Sequence, residues 1–305
     1  MPTEKTFSTY SPEQGKAYAQ ARRDYHPNVY KAVVELHTAT GGELDTLLDV
    51  GCGPGLAARG LAGRFNHAIG IDPSPGMIAT ARSLGVETSA SKPIRYEIST
   101  AEELGSDLDP PIPRGSIDLI TAANAAHWFD LPAFWQRSAE MLKPGGSVAL
   151  WTSGEIRMHP SMPNAAAVQA AMDRYTTVTL QAYYDPGNLL VREAYAHLLL
   201  PWAVTPAVTA FDESAFVSKH WQPGEDFFVG LPEGDMDLFE KVMATGSPYT
   251  RWSKAHPDEA GTERDVLKML RREIGGLLHE AGVEEGREII KADVRGVLLV
   301  VKKRQ

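Results

Sequence analysis

Three closely spaced glycines follow a short apolar run near residue 50, and this stretch is the part of the chain best suited to binding a ligand. Leu47 to Val50 end abruptly at Gly51, and Gly53 and Gly55 follow at two-residue intervals. Glycine adopts backbone angles that other residues avoid, and it lets a ligand approach the main chain closely. An apolar run, a glycine turn and a helix-compatible segment in this order indicate a buried parallel strand that leads into a nucleotide-type binding turn.

A second apolar run, Ala68 to Ile71, ends in the carboxylate of Asp72. This carboxylate comes roughly twenty residues after the first glycine, where the second parallel strand of a βαβ unit is expected to end. An ionised carboxylate there can accept hydrogen bonds from both hydroxyls of a ribose. Asp72 also precedes Pro73 and Ser74, so a helix N-cap is an alternative role for it.

Two details separate this turn from a dinucleotide-binding fingerprint. The spacing is G-x-G-x-G rather than G-x-G-x-x-G, and Asp49 stands where a dehydrogenase usually carries an apolar residue. The pattern resembles motif I of the class I S-adenosylmethionine-dependent methyltransferases, with an ordinary strand-to-helix turn as the alternative. The resemblance implies that Asp49 orients the loop and faces the methionine end of the cofactor. It also implies S-adenosyl-L-methionine as cofactor, S-adenosyl-L-homocysteine as product, and no metal.

The residues expected around this cofactor come from the ends of four predicted strands. Beyond the glycine turn, a backbone amide near Ala101 and the carboxylate of Glu102 are expected to meet the polar edge of the adenine. Glu102 equally suits the start of a helix, where a carboxylate is favoured by the helix dipole. The predicted cofactor-binding residues are Asp49, Gly51, Cys52, Gly53, Gly55, Asp72, Pro73, Met77, Ala101, Glu102 and Asn124.

Composition limits the classes of protein that the chain can represent. Of its 305 residues 43% are hydrophobic and 23% charged, which is typical of a soluble globular protein. The net charge of −9 and the lack of a long basic run argue against a nucleic-acid substrate. Cys52 is the only cysteine, so an internal disulfide and a cysteine-rich zinc site are excluded. No apolar stretch approaches the length that spans a bilayer, so we expect no membrane partner and a cytoplasmic location.

The order of predicted elements indicates an α/β fold. Strand and helix patterns alternate from Thr46 to Trp151, pause, and return as an amphipathic helix from Thr262 to Ala281. Two final strand patterns, 286–290 and 297–301, are expected to form a C-terminal β-hairpin. We therefore predict a doubly wound, Rossmann-like, seven-stranded and mostly parallel sheet, with a mainly helical cap inserted after strand five.

Four segments follow from this order of elements. Residues 1–40 form an N-terminal helical segment that contributes to a substrate lid, and residues 41–151 form the cofactor-binding core. Residues 152–261 form the cap, which is expected to bind the substrate. Residues 262–305 complete the core with a helix and the hairpin.

Three further motifs narrow the resemblance. They are Tyr18-x-x-x-Arg22-x-x-Tyr25, Ala126-His-Trp-Phe-Asp130 and Ser247-x-Tyr249-x-x-Trp252. Together they resemble the trans-aconitate methyltransferase family, especially its fungal members, over most of the chain, although only sparsely in the cap. The resemblance implies methyl transfer to a carboxylate oxygen of a small unsaturated di- or tricarboxylic acid, which gives a methyl ester. Where the family pattern has a tryptophan this chain has Gly246, which favours a bulkier acid unless position 246 faces solvent or Trp252 fills the space.

This chemistry assigns roles to two groups of residues. A carboxylic acid has a pKa of about 4, so it is already an anion at neutral pH and needs no general base. His127 and Trp128 are therefore expected to position the substrate, with packing as the alternative for His127. The predicted substrate-binding residues are Tyr18, Arg22, Tyr25, Ser247, Tyr249, Arg251 and Trp252.

Three other functions stay open at this point. A methyltransferase acting on a hydroxyl or amine would use His127 as a base, and a cofactor-binding protein without catalysis could serve as the partner of another enzyme. A nicotinamide dehydrogenase is disfavoured by the glycine spacing. The sequence does not identify the acceptor, and it leaves a monomer and a homodimer equally open.

Overall fold

Ten strands and ten α-helices make up the parts of the chain that the computed structural model describes, residues 6–230 and 233–305. The strands are β1 (Thr46–Val50), β2 (His67–Asp72), β3 (Arg95–Ile98), β4 (Ile117–Ala123), β5 (Leu142–Thr152), β6 (Ile156–Met158), β7 (Phe211–Trp221), β8 (Glu233–Asp235), β9 (Ile289–Val294) and β10 (Gly296–Lys303). The helices are α1 (Pro12–Ala21), α2 (Pro27–Thr38), α3 (Leu56–Ala62), α4 (Pro75–Ser83), α5 (Leu131–Met141), α6 (Ala165–Arg174), α7 (Pro186–Arg192), α8 (Met236–Ala244), α9 (Ser247–Ala255) and α10 (Val266–Glu280). Within these ranges no helix is both long and apolar enough to cross a bilayer.

Seven strands form one sheet in the order β3-β2-β1-β4-β5-β10-β7. Neighbouring strands among β1 to β5 run parallel, whereas β10 runs antiparallel to both β5 and β7. The central strands β1 and β4 are almost wholly buried, as expected for parallel strands covered by helices on both faces. The predicted seven-stranded, mostly parallel, doubly wound sheet is therefore confirmed.

The antiparallel pair that closes the sheet is present, but one of its two members differs from the prediction. The strand beside β10 is β7, which lies inside the segment predicted as the cap insertion. The strand predicted at 286–290 begins later, as β9, and pairs with β6 and β8 in a separate three-stranded sheet. Chain proximity suggested a hairpin of adjacent strands, whereas the open edge of β10 is covered by a strand from elsewhere.

A second apolar core lies outside the main sheet, in what we call the cap: β6, β8, β9, α6, α8, α9 and α10. Its buried residues include Met172, Phe239, Trp252, Leu270 and Ile290. The helix α10, which was expected to complete the main core, contributes its apolar face to this cluster. The cap is thus one body in space, although β7 divides it into two pieces of chain.

Two glycines allow α1 to lie directly against α4. A Cβ added to Gly15 would lie 2.7 Å from the carbonyl oxygen of Gly76 and 2.8 Å from Thr80 Oγ1. A Cβ added to Gly76 would lie 2.3 Å from the carbonyl oxygen of Tyr10. The chain leaves α1 at Arg22, so this close contact determines where Arg22 is held.

We predict that Gly15→Ala displaces α1 from α4, because the new methyl group would overlap main-chain atoms. Overpacking of this kind costs about 1–3 kcal/mol of unfolding free energy. Gly276→Ala in α10 is the matched control, since nothing lies within 4 Å of its added Cβ, and it should be neutral or stabilising. Denaturant unfolding combined with limited proteolysis of the N-terminal segment measures both effects. Equal unfolding midpoints and equal proteolysis rates in the two variants would contradict this account of the contact.

Candidate active site

A cavity of about 660 Å³ lies between the carboxyl edge of the parallel strands and the cap. The main sheet contributes the glycine turn and the ends of β2 and β4, and the N-terminal segment and the cap contribute the remaining walls. Ligands of open α/β sheets bind at this edge. The predicted residues that line the cavity are Tyr18, Arg22, Tyr25, Gly51, Cys52, Gly53, Asp72, Pro73, Met77, Ala101, Glu102, Asn124, His127, Trp128 and Ser247.

The three glycines of the turn all have positive φ angles, but they serve different purposes. Gly51 (φ +61°) and Gly55 (φ +84°) face protein atoms, because an added Cβ would lie 2.7 Å from Ala125 Cβ and 2.4 Å from Tyr96 Oη respectively. A Cβ added to Gly53 (φ +53°) meets nothing within 4 Å, and Gly53 lines the cavity. Gly53 is therefore the position where a side chain would enter the ligand's space. Gly55 is at the N-cap of α3, outside the cavity lining.

Asp49 lies beneath the turn and is fully buried. Its Oδ2 accepts a hydrogen bond from the Ala58 amide (3.1 Å) and its Oδ1 accepts one from Thr121 Oγ1 (2.7 Å). Burial raises its pKa to about 7, against the opposing effect of these two hydrogen bonds. Asp49 is tied to the start of α3 and to β4 rather than exposed to the cavity, which corrects the expectation that it faces the cofactor directly.

Asp72 joins the glycine turn to the end of β2. Its Oδ2 accepts a hydrogen bond from the Gly53 amide (2.9 Å), and its Oδ1 accepts one from the Ser74 amide (2.9 Å). Asp72 lines the cavity beside Gly53, and a carboxylate is the kind of group that accepts hydrogen bonds from two neighbouring ligand hydroxyls. The cap of α4 is instead supplied by Ser74, whose Oγ accepts from the Met77 amide. The alternative role of Asp72 as a helix N-cap thus falls to its neighbour.

Glu102 and Asn124 line the cavity just after β3 and β4, respectively. Glu102 Oε1 accepts a hydrogen bond from the Asp130 amide (2.9 Å), so its side chain braces the loop that follows β4. Asn124 has a positive φ of +53°, which is uncommon for a residue other than glycine and concentrates at functional sites. Its amide donates to the Trp151 carbonyl (2.7 Å), and its Oδ1 accepts from Thr152 Oγ1 (2.7 Å).

Cys52 is buried, and it has one face on the cavity. Burial raises the pKa of its thiol well above the ordinary value, and the charges of Asp72 and Asp49 act in the same direction. The thiol is therefore protonated near neutral pH, which suits a small filler of the turn and not a nucleophile.

His127 and Trp128 lie in a short 3₁₀ turn, Ala126–Trp128, after β4. His127 Nδ1 lies 2.9 Å from Tyr195 Oη, and burial together with the charge of Arg22 lowers the His127 pKa to about 3. The imidazole is therefore neutral near pH 7. Gly187 of α7 packs directly against this turn, because an added Cβ would lie 2.6 Å from the His127 carbonyl oxygen. Sequence reasoning missed Tyr195, which lies 68 positions from His127 with no motif to link them.

The N-terminal segment brings an arginine to the cavity. The Arg22 guanidinium carbon lies 4.9 Å from the centre of the Tyr18 ring, and Phe7 packs edge-on against the same ring at 5.9 Å. Arg22 Nε is buried, and within residues 6–230 and 233–305 it has no hydrogen-bond partner. Arg23 differs, because one of its terminal nitrogens donates to the Glu233 carbonyl (2.7 Å). Tyr25 is buried and stacks on Phe228 at 5.3 Å.

The structure does not bring three of the predicted substrate-binding residues, Tyr249, Arg251 and Trp252, to the cavity lining. Tyr249 donates a hydrogen bond from Oη to Asp265 Oδ2 (2.7 Å). Trp252 is buried in the cap core, stacked on Tyr249 and on His256. Arg251 is committed to contacts within the protein, which include Asp185 Oδ2 (2.8 Å), Asn188 Oδ1 (2.7 Å), the Tyr183 carbonyl (2.8 Å) and Thr6 Oγ1 (3.1 Å).

Ser247 is the member of that motif that does reach the cavity, where its Oγ accepts from Asn188 Nδ2 (2.9 Å). Gly246, just before α9, also lines the cavity. Gly246 therefore faces the cavity and not only bulk solvent, and Trp252 does not occupy the space beside it. An added Cβ at Gly246 would lie 3.2 Å from the Met243 carbonyl oxygen.

The residues of the glycine turn fit S-adenosylmethionine by two observations of this structure. The open space beside Gly53 is a cradle that a Cβ would fill, and the Asp72 carboxylate beside it is set up to accept hydroxyl hydrogens. Asn124, Ala101 and Glu102 line the same cavity. A seven-stranded sheet of this order, with such a turn at its carboxyl edge, defines the class I methyltransferase fold.

Comparisons with known proteins agree with this class. Residues 48–150 match the family described as "Methyltransferase domain". The methyltransferase cfoB of Aspergillus candidus is 33% identical over 259 residues, which cover 84% of this chain and 76% of that protein. The methyltransferase pgmE of Aspergillus terreus is 28% identical over 150 residues, which cover 48% of this chain and 44% of that protein.

Solved structures show the same fold. A protein from Anaeromyxobacter dehalogenans described as a type II methyltransferase superposes with a TM-score of 0.56 at 23% identity, covering 93% of this chain and 97% of that one. The YcgJ protein of Bacillus superposes with a TM-score of 0.50 at 18% identity, covering 90% and 99%. The chain belongs to the class I S-adenosylmethionine-dependent methyltransferases.

We predict that Gly53→Ala abolishes cofactor binding while the protein stays folded, because the new methyl group projects into the cavity. Gly282→Ala is the matched control, since Gly282 also has a positive φ (+86°) and open surroundings. Both variants should lose about 1–2 kcal/mol of unfolding free energy from left-handed backbone strain. Calorimetry with S-adenosylhomocysteine separates them. Wild-type affinity in Gly53→Ala would place the cofactor elsewhere.

Proposed function

We propose that this protein transfers the methyl group of S-adenosylmethionine to a carboxylate oxygen of a small-molecule acid, giving a methyl ester. The proposed acids are di- or tricarboxylates or bulkier conjugates of them, as the resemblance to the trans-aconitate methyltransferases implies. The observation that carries the proposal is the Arg22 side chain, which lines the cavity and whose buried Nε lacks a hydrogen-bond partner in the described parts of the chain. Placement in the cytoplasm remains a prediction.

A buried guanidinium nitrogen without a partner lowers the stability of the protein, because its hydrogen bonds to water are not replaced by hydrogen bonds to protein atoms. Arg22 forms no ion pair with any acidic side chain in residues 6–230 and 233–305. A ligand carboxylate would supply the missing acceptor, and arginine–carboxylate hydrogen bonds are among the strongest that proteins form. Arg22 is also close enough to His127 to lower the pKa of that imidazole.

The neutral state of His127 fits an acceptor that needs no deprotonation. A base whose conjugate acid has a pKa of about 3 is a poor acceptor for the proton of an alcohol or an amine. This weighs against the alternative in which His127 activates a hydroxyl or amine. A carboxylate needs only to be positioned, and a neutral imidazole can do this by hydrogen bonding or by packing.

Methyl transfer to a carboxylate depends on alignment and on the exclusion of water. S-adenosylmethionine, when bound, supplies a methyl group activated by a positively charged sulfur. Asp72 and the Gly53 turn hold the cofactor end, and Arg22 with Tyr18 holds the acceptor's carboxylate. The Trp128 ring and the cap above it exclude water, and an aromatic face also favours a nearby cation.

We predict that the rate of the chemical step is nearly constant from pH 6 to 8. Neither an acceptor carboxylate, with a pKa of about 4, nor His127, with its pKa of about 3, changes its protonation in that range. Asp49, whose pKa is about 7, lies beneath the cofactor turn, so the measurement uses saturating S-adenosylmethionine to remove any effect of its titration on cofactor binding. Single-turnover measurements across a pH series test this. A tenfold rise per pH unit would show that the acceptor loses a proton before transfer, as a phenol, alcohol or amine would, and the carboxylate proposal would fail.

We predict that Arg22→Gln raises the acceptor's KM about 10- to 100-fold, since a hydrogen bond to a charged group contributes about 1.5–3 kcal/mol. The Kd for S-adenosylhomocysteine should change less than about twofold. Arg287→Gln, an exposed arginine away from the cavity, is the control and should alter neither quantity. If the cofactor's Kd rises instead, Arg22 pairs with the methionine carboxylate of the cofactor and the proposal loses its main support.

A further inference from the structure

The apolar core of the cap opens directly onto the cavity. Six side chains from four cap elements form this wall, which we call the apolar chamber: Met158, Met172, Leu238, Phe239, Met243 and Ile290. Met158, Met172, Phe239 and Ile290 are each less than 10% exposed and belong to the buried cluster of the cap. The chamber is therefore supported from behind by a packed core and is not a loose surface patch.

Charged side chains at the cap end of the cavity neutralise one another. Arg192 Nε lies 2.8 Å from Glu155 Oε1, and Glu155 also lies 3.3 Å from Arg157. Arg157 in turn lies 3.2 Å from Asp173 Oδ1. A second or third carboxylate on the acceptor would have to break these pairs to bind Arg157 or Arg192.

Three further polar or charged side chains of the cavity wall have partners within the protein. Asn188 donates to Ser247 and accepts from Arg251, and Gln169 bonds both the Met158 amide and Asp173. Arg23 is tied to the Glu233 carbonyl. Arg22 and a wall of methionine, leucine and phenylalanine side chains thus line the same cavity.

We infer that the apolar chamber holds a hydrophobic, uncharged body of the methyl acceptor. Among the acids of the proposed function, the acceptor is then a bulky conjugate that keeps one free carboxylate, in effect a hydrophobic monocarboxylic acid, rather than a small tricarboxylate. Only the carboxylate of this acceptor rests on the proposed function; the hydrophobic body is inferred from the chamber itself. Methionine side chains adapt to different apolar shapes, so the chamber should accept several ring systems.

Binding of two fluorescent probes to the full-length protein, saturated with S-adenosylhomocysteine, tests the inference. The probes are 1-pyrenebutyrate and its uncharged analogue 1-pyrenebutanol, with trans-aconitate as a competitor. We expect 1-pyrenebutyrate to bind at least about tenfold more tightly than trans-aconitate. Met243→Gln and Leu238→Gln should each weaken the binding of both pyrene probes by about tenfold, because a bound probe would bury the new amide without a hydrogen-bond partner.

Met269→Gln is the matched control, since Met269 is 52% exposed on α10 and away from the cavity. Thermal unfolding and S-adenosylhomocysteine affinity confirm that each variant is folded. Unchanged binding of both pyrene probes in both chamber variants would overturn the inference, as would tighter binding of trans-aconitate than of 1-pyrenebutyrate.

The two pyrene probes also separate this inference from the proposed function. If the alcohol binds as tightly as the acid, and Arg22→Gln affects neither, the carboxylate proposal fails. In that case, weaker binding of both probes to Met243→Gln and Leu238→Gln would still support the apolar chamber. If 1-pyrenebutyrate binds more tightly than 1-pyrenebutanol, and only Arg22→Gln removes this difference in affinity, the carboxylate proposal is supported together with the chamber.

Discussion

The hydrogen bond from the Gly53 amide to the Asp72 carboxylate connects the two halves of the cofactor site. It joins the turn after β1 to the end of β2, so the open space beside Gly53 and the Asp72 carboxylate are held in a fixed relative position. Asp49 supports the same turn from below, through the Ala58 amide. A cradle for a ligand is thereby built from main-chain atoms and two carboxylates, with little dependence on mobile side chains.

Much of the main sheet could be predicted from sequence, because buried parallel strands appear as short apolar runs. Leu47 to Val50 and Ala68 to Ile71 are of this kind, and both ended where the pattern indicated. The strand β7 was missed because it is an edge strand with few buried residues and a largely polar sequence. Sequence patterns favour as partner of β10 the strand nearest to it in the chain, which is β9.

The candidate site could likewise be predicted only in part. Residues carried by strand ends, such as Asp72 and Asn124, could be placed because the sheet's carboxyl edge is their common location. The motif from Ser247 to Trp252 could not, because the residues of a helix point in different directions. Ser247 and Tyr249 are two positions apart on α9 and face opposite sides. Arg251 does lie on the same face of α9 as Ser247. It forms an ion pair with Asp185 and donates a hydrogen bond to Asn188, which is 63 positions away in the sequence.

The division of the cap by β7 has a consequence for how this protein can acquire new specificities. The wall opposite the cofactor is built from two stretches of chain, before and after a strand that the main sheet requires. No single deletion or graft can exchange that wall without removing the edge strand that covers β10. Recombination between relatives would therefore have to replace both stretches together. Change by point substitution within the existing wall is the simpler evolutionary route.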